Sequence, residues 1–146
     1  MADPRVEKLA KVLVQYSLNL QPGQQFVLRT SPLAEELNLA VYEEAMIAGA
    51  FITLQMSMAG AAEIFYRHAT DAQLEYVSPI RRMIAEKFDA SLYIEAEHNT
   101  RELSGTDPKK MSKMSKANAE VTKIFFDRAA AEELKWSLTV YPTHAM

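Results

Sequence analysis

The sequence predicts an α/β fold: a single parallel sheet of about four strands, doubly wound into three layers with helices on both faces. Two observations carry that reading. Short β-rich runs alternate with segments whose apolar residues recur at helical spacing, and strands separated by helices pair in parallel through right-handed crossovers. Four of the six prolines follow Asp or Ser, at Asp3-Pro4, Ser31-Pro32, Ser78-Pro79 and Asp107-Pro108. Asp or Ser at an N-cap accepts a hydrogen bond from an orphan helix N–H, and proline at the next position supplies a helical φ, so each pair marks a helix start. A chain of 146 residues, 49% hydrophobic and 24% charged, makes one ordinary globular domain with a single sizeable core.

In chain order, Val6, Leu9, Leu13, Tyr16 and Leu20 form the first helical stripe. The run Phe26-Val27-Leu28-Arg29-Thr30 is the first strand. After Ser31-Pro32, Leu33, Leu37, Ala40, Val41 and Ala48 make a second helix, which Gly49 stops. Phe51 to Met56 is the second strand. A helix over Ala61 to His68 and a turn from Asp71 to Val77 follow, and then Ile80, Met83, Ile84 and Phe88 mark the next helix. Ser91 to Glu95 is the third strand. Met111, Met114, Val121, Ile124 and Phe125 lie on one face of a long helix over 108–130, and Trp136 to Val140 is the last strand. Strands are expected at 25–30, 51–57, 90–96 and 135–141, in spatial order 2-1-3-4. The chain stops at Met146, straight after an apolar strand with no helix to cover it, which reads as a boundary within a longer protein.

Most chemistries find no support. Cysteine is absent, so disulfides, thiolate metal sites and cysteine nucleophiles are excluded together. Lys+Arg 16 against Asp+Glu 19 gives a net charge of −3, without the basic surplus of a nucleic-acid binder. No apolar run is long enough for a membrane span, and the N-terminus lacks a secretory signal core, which points to a cytoplasmic protein. The three histidines, His68, His98 and His144, have no i, i+4 pair, and each reads as a surface or hydrogen-bonded residue. The four glycines never cluster, so a P-loop and a dinucleotide-binding loop are missing, and Gly60 lies in no Gly-x-Ser-x-Gly elbow. Lys109, Lys110, Lys113 and Lys116, interleaved with Met111 and Met114, read as the wet side of an amphipathic helix. Trp136 and Tyr141 read as sheet packing before they read as stacking platforms.

What remains lies at the C-terminal ends of the strands, where open parallel sheets form their crevices. Thr30 and Ser31 follow the first strand, and Ser57 to Gly60 the second. The densest polar stretch, Glu95-Ala96-Glu97-His98-Asn99-Thr100-Arg101-Glu102, follows the third. Its carboxylates, imidazole, amide and guanidinium suit a metal, a peptide terminus or a neighbouring domain; a solvated loop before the long helix is the simpler account and is preferred on these residues alone. Residue chemistry alone stops at an α/β domain with a polar crevice.

Three segments resemble a known family. Arg5-Val6-Glu7-Lys8-Leu9-Ala10 with Leu20-Gln21-Pro22-Gly23-Gln24, the stretch Asn99-Thr100-Arg101-Glu102-Leu103-Ser104-Gly105-Thr106-Asp107-Pro108-Lys109, and Trp136-Ser137-Leu138-Thr139-Val140-Tyr141-Pro142-Thr143 are similar, in order and spacing, to the M29 metalloaminopeptidases of the aminopeptidase T and S type. The resemblance covers the whole chain but less than half of a complete member. It implies an exopeptidase that removes N-terminal residues from peptides with two divalent metal ions (Co, Zn or Mg), in which the ions make a water nucleophilic.

The family's metal ligands belong to a C-terminal domain, and none carries over to this sequence. Residues 1–146 are thus expected to be the N-terminal domain, with no catalytic residue and no metal of its own, inactive alone. Its implied role is to wall the substrate cavity, restrict access to small peptides and support homodimer contacts. His98, Asn99, Arg101 and Tyr141 are the candidate cavity rim, since the loop after the third strand and the segment after the fourth converge at one end of the sheet. Arg101 suits a carboxylate through its guanidinium fork, and His98 and Asn99 suit orienting hydrogen bonds; inter-domain struts are the competing role. The alternative from another class is a standalone α/β module that binds a small anion or a protein partner in the same crevice.

Overall fold

The computed structural model describes residues 3–96, 103 and 105–142. Each expected cap forms. The side chains of Asp3, Ser31, Ser78 and Asp107 accept the backbone N–H of Arg5, Leu33, Ile80 and Lys109 at 2.8, 3.3, 3.2 and 2.9 Å, with proline opening each helix. The first helix, α1 (Pro4–Lys11), continues into a wider π-type segment, Val12–Ser17, where the Leu18 N–H reaches back five residues to the Leu13 carbonyl at 2.9 Å. Strand β1 (Gln25–Thr30) leads through a 3-10 turn, Pro32–Ala34, into α2 (Glu35–Ile47), and β2 (Phe51–Met56) follows. Helices α3 (Ala61–His68), α4 (Asp71–Glu75) and α5 (Pro79–Lys87) precede β3 (Ala90–Glu95). Then come α6 (Pro108–Ala117), α7 (Ala119–Ala130) and β4 (Lys135–Val140).

All four strands are parallel, in the order β2-β1-β3-β4, as the alternation of elements predicts. The long helix expected over 108–130 is two helices instead, because Asn118 breaks it. Its backbone leaves helical geometry at φ −92°, ψ 3°, and its side-chain amide donates to the Met114 carbonyl at 3.0 Å. Asparagine that bonds back to the preceding turn competes with the helix ladder.

Helices cover both faces of the sheet. On one face Phe26, Leu28, Leu92 and Ile94 pack with Ala10, Leu13, Val14 and Leu18 of the first helical segment and with Leu37, Val41 and Ala45 of α2, all buried. On the other, Val27 packs with Ile84 and Phe88 around α5. Arg128 of α7 donates to the Ala85 carbonyl of α5 at 2.8 Å, and Trp136 meets the rings of Phe125 and Phe126 edge-on at 6.4 and 5.6 Å. The central strands are apolar on the α1/α2 face, but on the α5 face β3 carries Ser91, Tyr93 and Glu95; edge strands β2 and β4 stay largely exposed. Gly49 closes the turn before β2: its φ is +82°, its carbonyl accepts the Gly23 N–H at 2.8 Å, and a Cβ there would sit 3.2 Å from Pro22.

Candidate functional site

Parallel pairing brings the C-terminal ends of all four strands to one end of the sheet, and the two faces differ there. On the α1/α2 face the end of β1 is knotted to its surroundings. The Thr30 hydroxyl donates to the Asn38 carbonyl oxygen at 2.6 Å, and the Asn38 amide donates to the Ser31 backbone carbonyl at 2.8 Å. The Ser31 hydroxyl donates to the Ala96 carbonyl at 2.8 Å, tying β1 to the end of β3. Thr30, Ser31 and Asn38 are all buried, so these bonds satisfy groups that would otherwise be orphaned. The arrangement is scaffold, closed to ligand.

Tyr141 follows β4 at this end, as expected. Its N–H donates to the Glu95 carbonyl at 2.8 Å and its hydroxyl donates to Glu36 of α2 at 3.5 Å. Glu36 also accepts the Asp3 N–H at 2.6 Å, so Tyr141 joins the sheet end to the capped start of α1. The other three rim candidates, His98, Asn99 and Arg101, lie outside the described residues.

The opposite face carries a row that the sequence reading passed over. Arg29 of β1 pairs in register with Gln55 of β2 on one side and Tyr93 of β3 on the other, so the three side chains share the face that covers Val27. Arg29 is partly buried, and its Nε is enclosed without a hydrogen-bond partner. Burial pushes its guanidinium below the ordinary arginine range, and the neighbouring charge of Arg81 pushes in the same direction. The signal in the sequence was a lone charge inside Phe26-Val27-Leu28-Arg29-Thr30, a strand buried on both faces.

The lysines of α6 depart in part from the expected wet side: Lys109 and Lys116 are exposed, but Lys110 and Lys113 are half-buried and reach α3 and α4, while Met111 is exposed. Lys113 pairs with Asp71 at 3.1 Å and Glu75 at 3.6 Å, which raises its pKa, chiefly through the Asp71 hydrogen bond. Lys110 donates to the Tyr66 carbonyl at 2.8 Å. A groove of about 770 Å³ between α4 and α6 is lined by Glu75, Lys109, Ser112, Lys113 and Lys116, and those ion pairs already cross it. Among the described residues no three His, Asp or Glu side chains come together to hold a metal. No helix among them is long and apolar enough to cross a membrane.

Residues 2–146 match the sequence model of the M29 peptidases, described as thermophilic metalloproteases. The chain belongs to this family. Among solved structures, wild-type AmpT from Thermus thermophilus superposes on the M29 chain with a TM-score of 0.73 and 23% identity, over 94% of this chain and 36% of that one. At that identity the likeness establishes the fold, and the M29 chain spans about a third of AmpT's length. The CurK enoyl reductase, with a TM-score of 0.40 and 14% identity over 94% of this chain and 61% of its own, is too distant to inform the site. No curated protein matches the M29 chain in sequence. The family is metal-dependent.

Proposed function

We propose that residues 1–146 serve as the N-terminal, non-catalytic domain of a cytoplasmic two-metal aminopeptidase that removes N-terminal residues from peptides. The observation that carries this reading is the span of the match: the M29 family covers residues 2–146, yet the shared fold occupies 36% of AmpT. The metals, Co, Zn or Mg, then belong to the remaining part of the parent protein, and this domain walls the substrate cavity from the strand ends. The exposed apolar side chains of β4, Trp136, Leu138 and Val140, favour a contact with that remaining part or with a second subunit.

The test compares the 146-residue chain with a protein extended by the coding sequence beyond Met146. Aminoacyl p-nitroanilides and short peptides serve as substrates, with Co²⁺, Zn²⁺ or Mg²⁺ added. Turnover is expected in the extended protein and none above background in the 146-residue chain. Metal-dependent turnover by the short chain would overturn the proposal. A stop codon directly after Met146 would favour the standalone binding module instead.

A further inference from the structure

We propose that Arg29 and Arg81 form a receptor for a single carboxylate group at the C-terminal end of the sheet, on the α5 face. Three features of the structure converge on it. The first is placement. Val27 and Arg29, two residues apart on β1, share a face, and Val27 packs against Ile84 and Phe88 of α5. Arg81 lies three residues before Ile84 and seven before Phe88, on that same stripe of α5. The apolar layer formed by Val27, Ile84 and Phe88 therefore gives way, one step towards the strand ends, to a layer with two guanidinium groups. Open parallel sheets receive their ligands at this end.

The second is charge left uncompensated. Among the described residues neither Arg29 nor Arg81 makes an ion pair. The next residue of α5 shows the contrast: Arg82 reaches both Glu86, at 3.8 Å, and Glu120, at 3.2 Å. Glu95 lies two residues beyond Tyr93 on the same face of β3 and pairs with neither arginine. Two like charges that repel, Arg29 partly desolvated and Arg81 exposed, are relieved when an anion joins them.

The third is the way the Arg29 guanidinium is held. Its Nε is enclosed without an acceptor, whereas its two Nη atoms are not enclosed and make no hydrogen bond among the described residues. The paired Nη–H groups form the end of the guanidinium that meets both oxygens of a carboxylate in parallel hydrogen bonds. Gln55 and Tyr93, in register on either side, bound the position that the anion would take. A carboxylate can arrive as the C-terminus of a short peptide or as an acidic side chain; the peptide source rests on the aminopeptidase reading, whereas the site itself does not.

The experiment follows the arginine Nε–H resonances of the 146-residue chain by ¹⁵N NMR. Three probes are titrated at matched ionic strength: acetyl-triglycine with a free carboxylate, its C-terminal amide, and acetyl-Glu-Gly-amide. The free acid is expected to shift the Arg29 Nε–H signal saturably, and the amide to bind at least tenfold more weakly. Preference for the free acid assigns the site to a peptide C-terminus, and preference for the glutamyl peptide assigns it to an acidic side chain. Arg29→Gln and Arg81→Gln should each weaken binding at least tenfold, and Arg29→Lys, which keeps the charge but not the fork, should restore only part of it.

Arg29→Met, which keeps an apolar stem, should raise Tm while abolishing binding, a pairing that a merely structural arginine would not produce. Absence of binding by both carboxylates, equal binding of the amide, or unchanged binding in Arg29→Gln would overturn the proposal. None of these readouts uses turnover, so failure here is distinguishable from failure of the aminopeptidase reading.

Discussion

On the face beneath α1 and α2, β1 and β3 commit Phe26, Leu28, Leu92 and Ile94 to one continuous apolar cluster, and the strand end is sealed by the bonds among Thr30, Ser31, Asn38 and Ala96. On the face beneath α5, β1 commits Val27 and then turns polar at Arg29. The same strand is thus scaffold on one side and open to chemistry on the other. Side chains two residues apart share a face, so a change at one register position leaves the packing of the opposite face intact. The partly buried charge lies away from the larger of the two buried apolar clusters, which is on the opposite face.

The widest gap should appear between equivalent truncations on the two faces. Leu92→Ala is expected to cost about 4–5 kcal/mol and Ile84→Ala about 2–3 kcal/mol, because a small cluster collapses around a void more readily than a large one. Midpoints and slopes of urea unfolding measure both, and equal losses would break the comparison. Asn38→Ala should cost about 1–3 kcal/mol, since it leaves the buried Thr30 hydroxyl and Ser31 carbonyl with only their long 3.4 Å contact to each other. A loss no larger than that of a surface substitution would show that water replaces the side chain and that the knot is not closed.

How far the sequence was legible follows from how local each determinant is. The four Asp/Ser-Pro caps were readable because cap, proline and accepted N–H lie within three residues. Strand limits were readable to within a residue, since β2, β3 and β4 end at Met56, Glu95 and Val140 where 57, 96 and 141 were expected. The break at Asn118 was not, because asparagine is only mildly unfavourable inside a helix and the decision rests on its bond to Met114. Periodicity placed Tyr141 at the correct end of the sheet, but it does not contain the Glu36 contact, made across 105 positions of chain. Arg29 was on view throughout; its meaning came from Arg81, which lies on another element.

Two smaller effects sharpen the contrast. Ser78→Ala removes the acceptor for Ile80 N–H and should cost about 1 kcal/mol, with amide exchange accelerated in the first turn of α5 and unchanged in α1. The smallest effect is electrostatic. The Arg5 hydrogen bonds, side chain first, hold the Asp3 carboxyl below its ordinary range. A carboxyl whose pKa is lowered on folding stabilises above its unfolded pKa, and that contribution is lost as pH falls through the folded value. Protection of the Arg5 amide, relative to the unstructured chain at the same pH, should therefore fall below the usual carboxylate pKa while amides of β3 stay protected; simultaneous loss of both would tie the cap to the whole α1/α2 face.

The π-type segment Val12–Ser17 gives the chain an unusual tolerance of two kinds of mutation. Val12, Gln15 and Tyr16 are exposed there, so substitution should be well accepted. Deletion of one residue should be accepted as well. The five-residue step from Leu18 back to Leu13 accommodates one residue more than an α-helical turn would. Removing that residue returns the segment to α-helical winding and leaves α1 in phase with everything that follows. Val6 and Leu9 then stay on the core, and the Asp3 N–H keeps Glu36. The segment is permissive in spelling and in length.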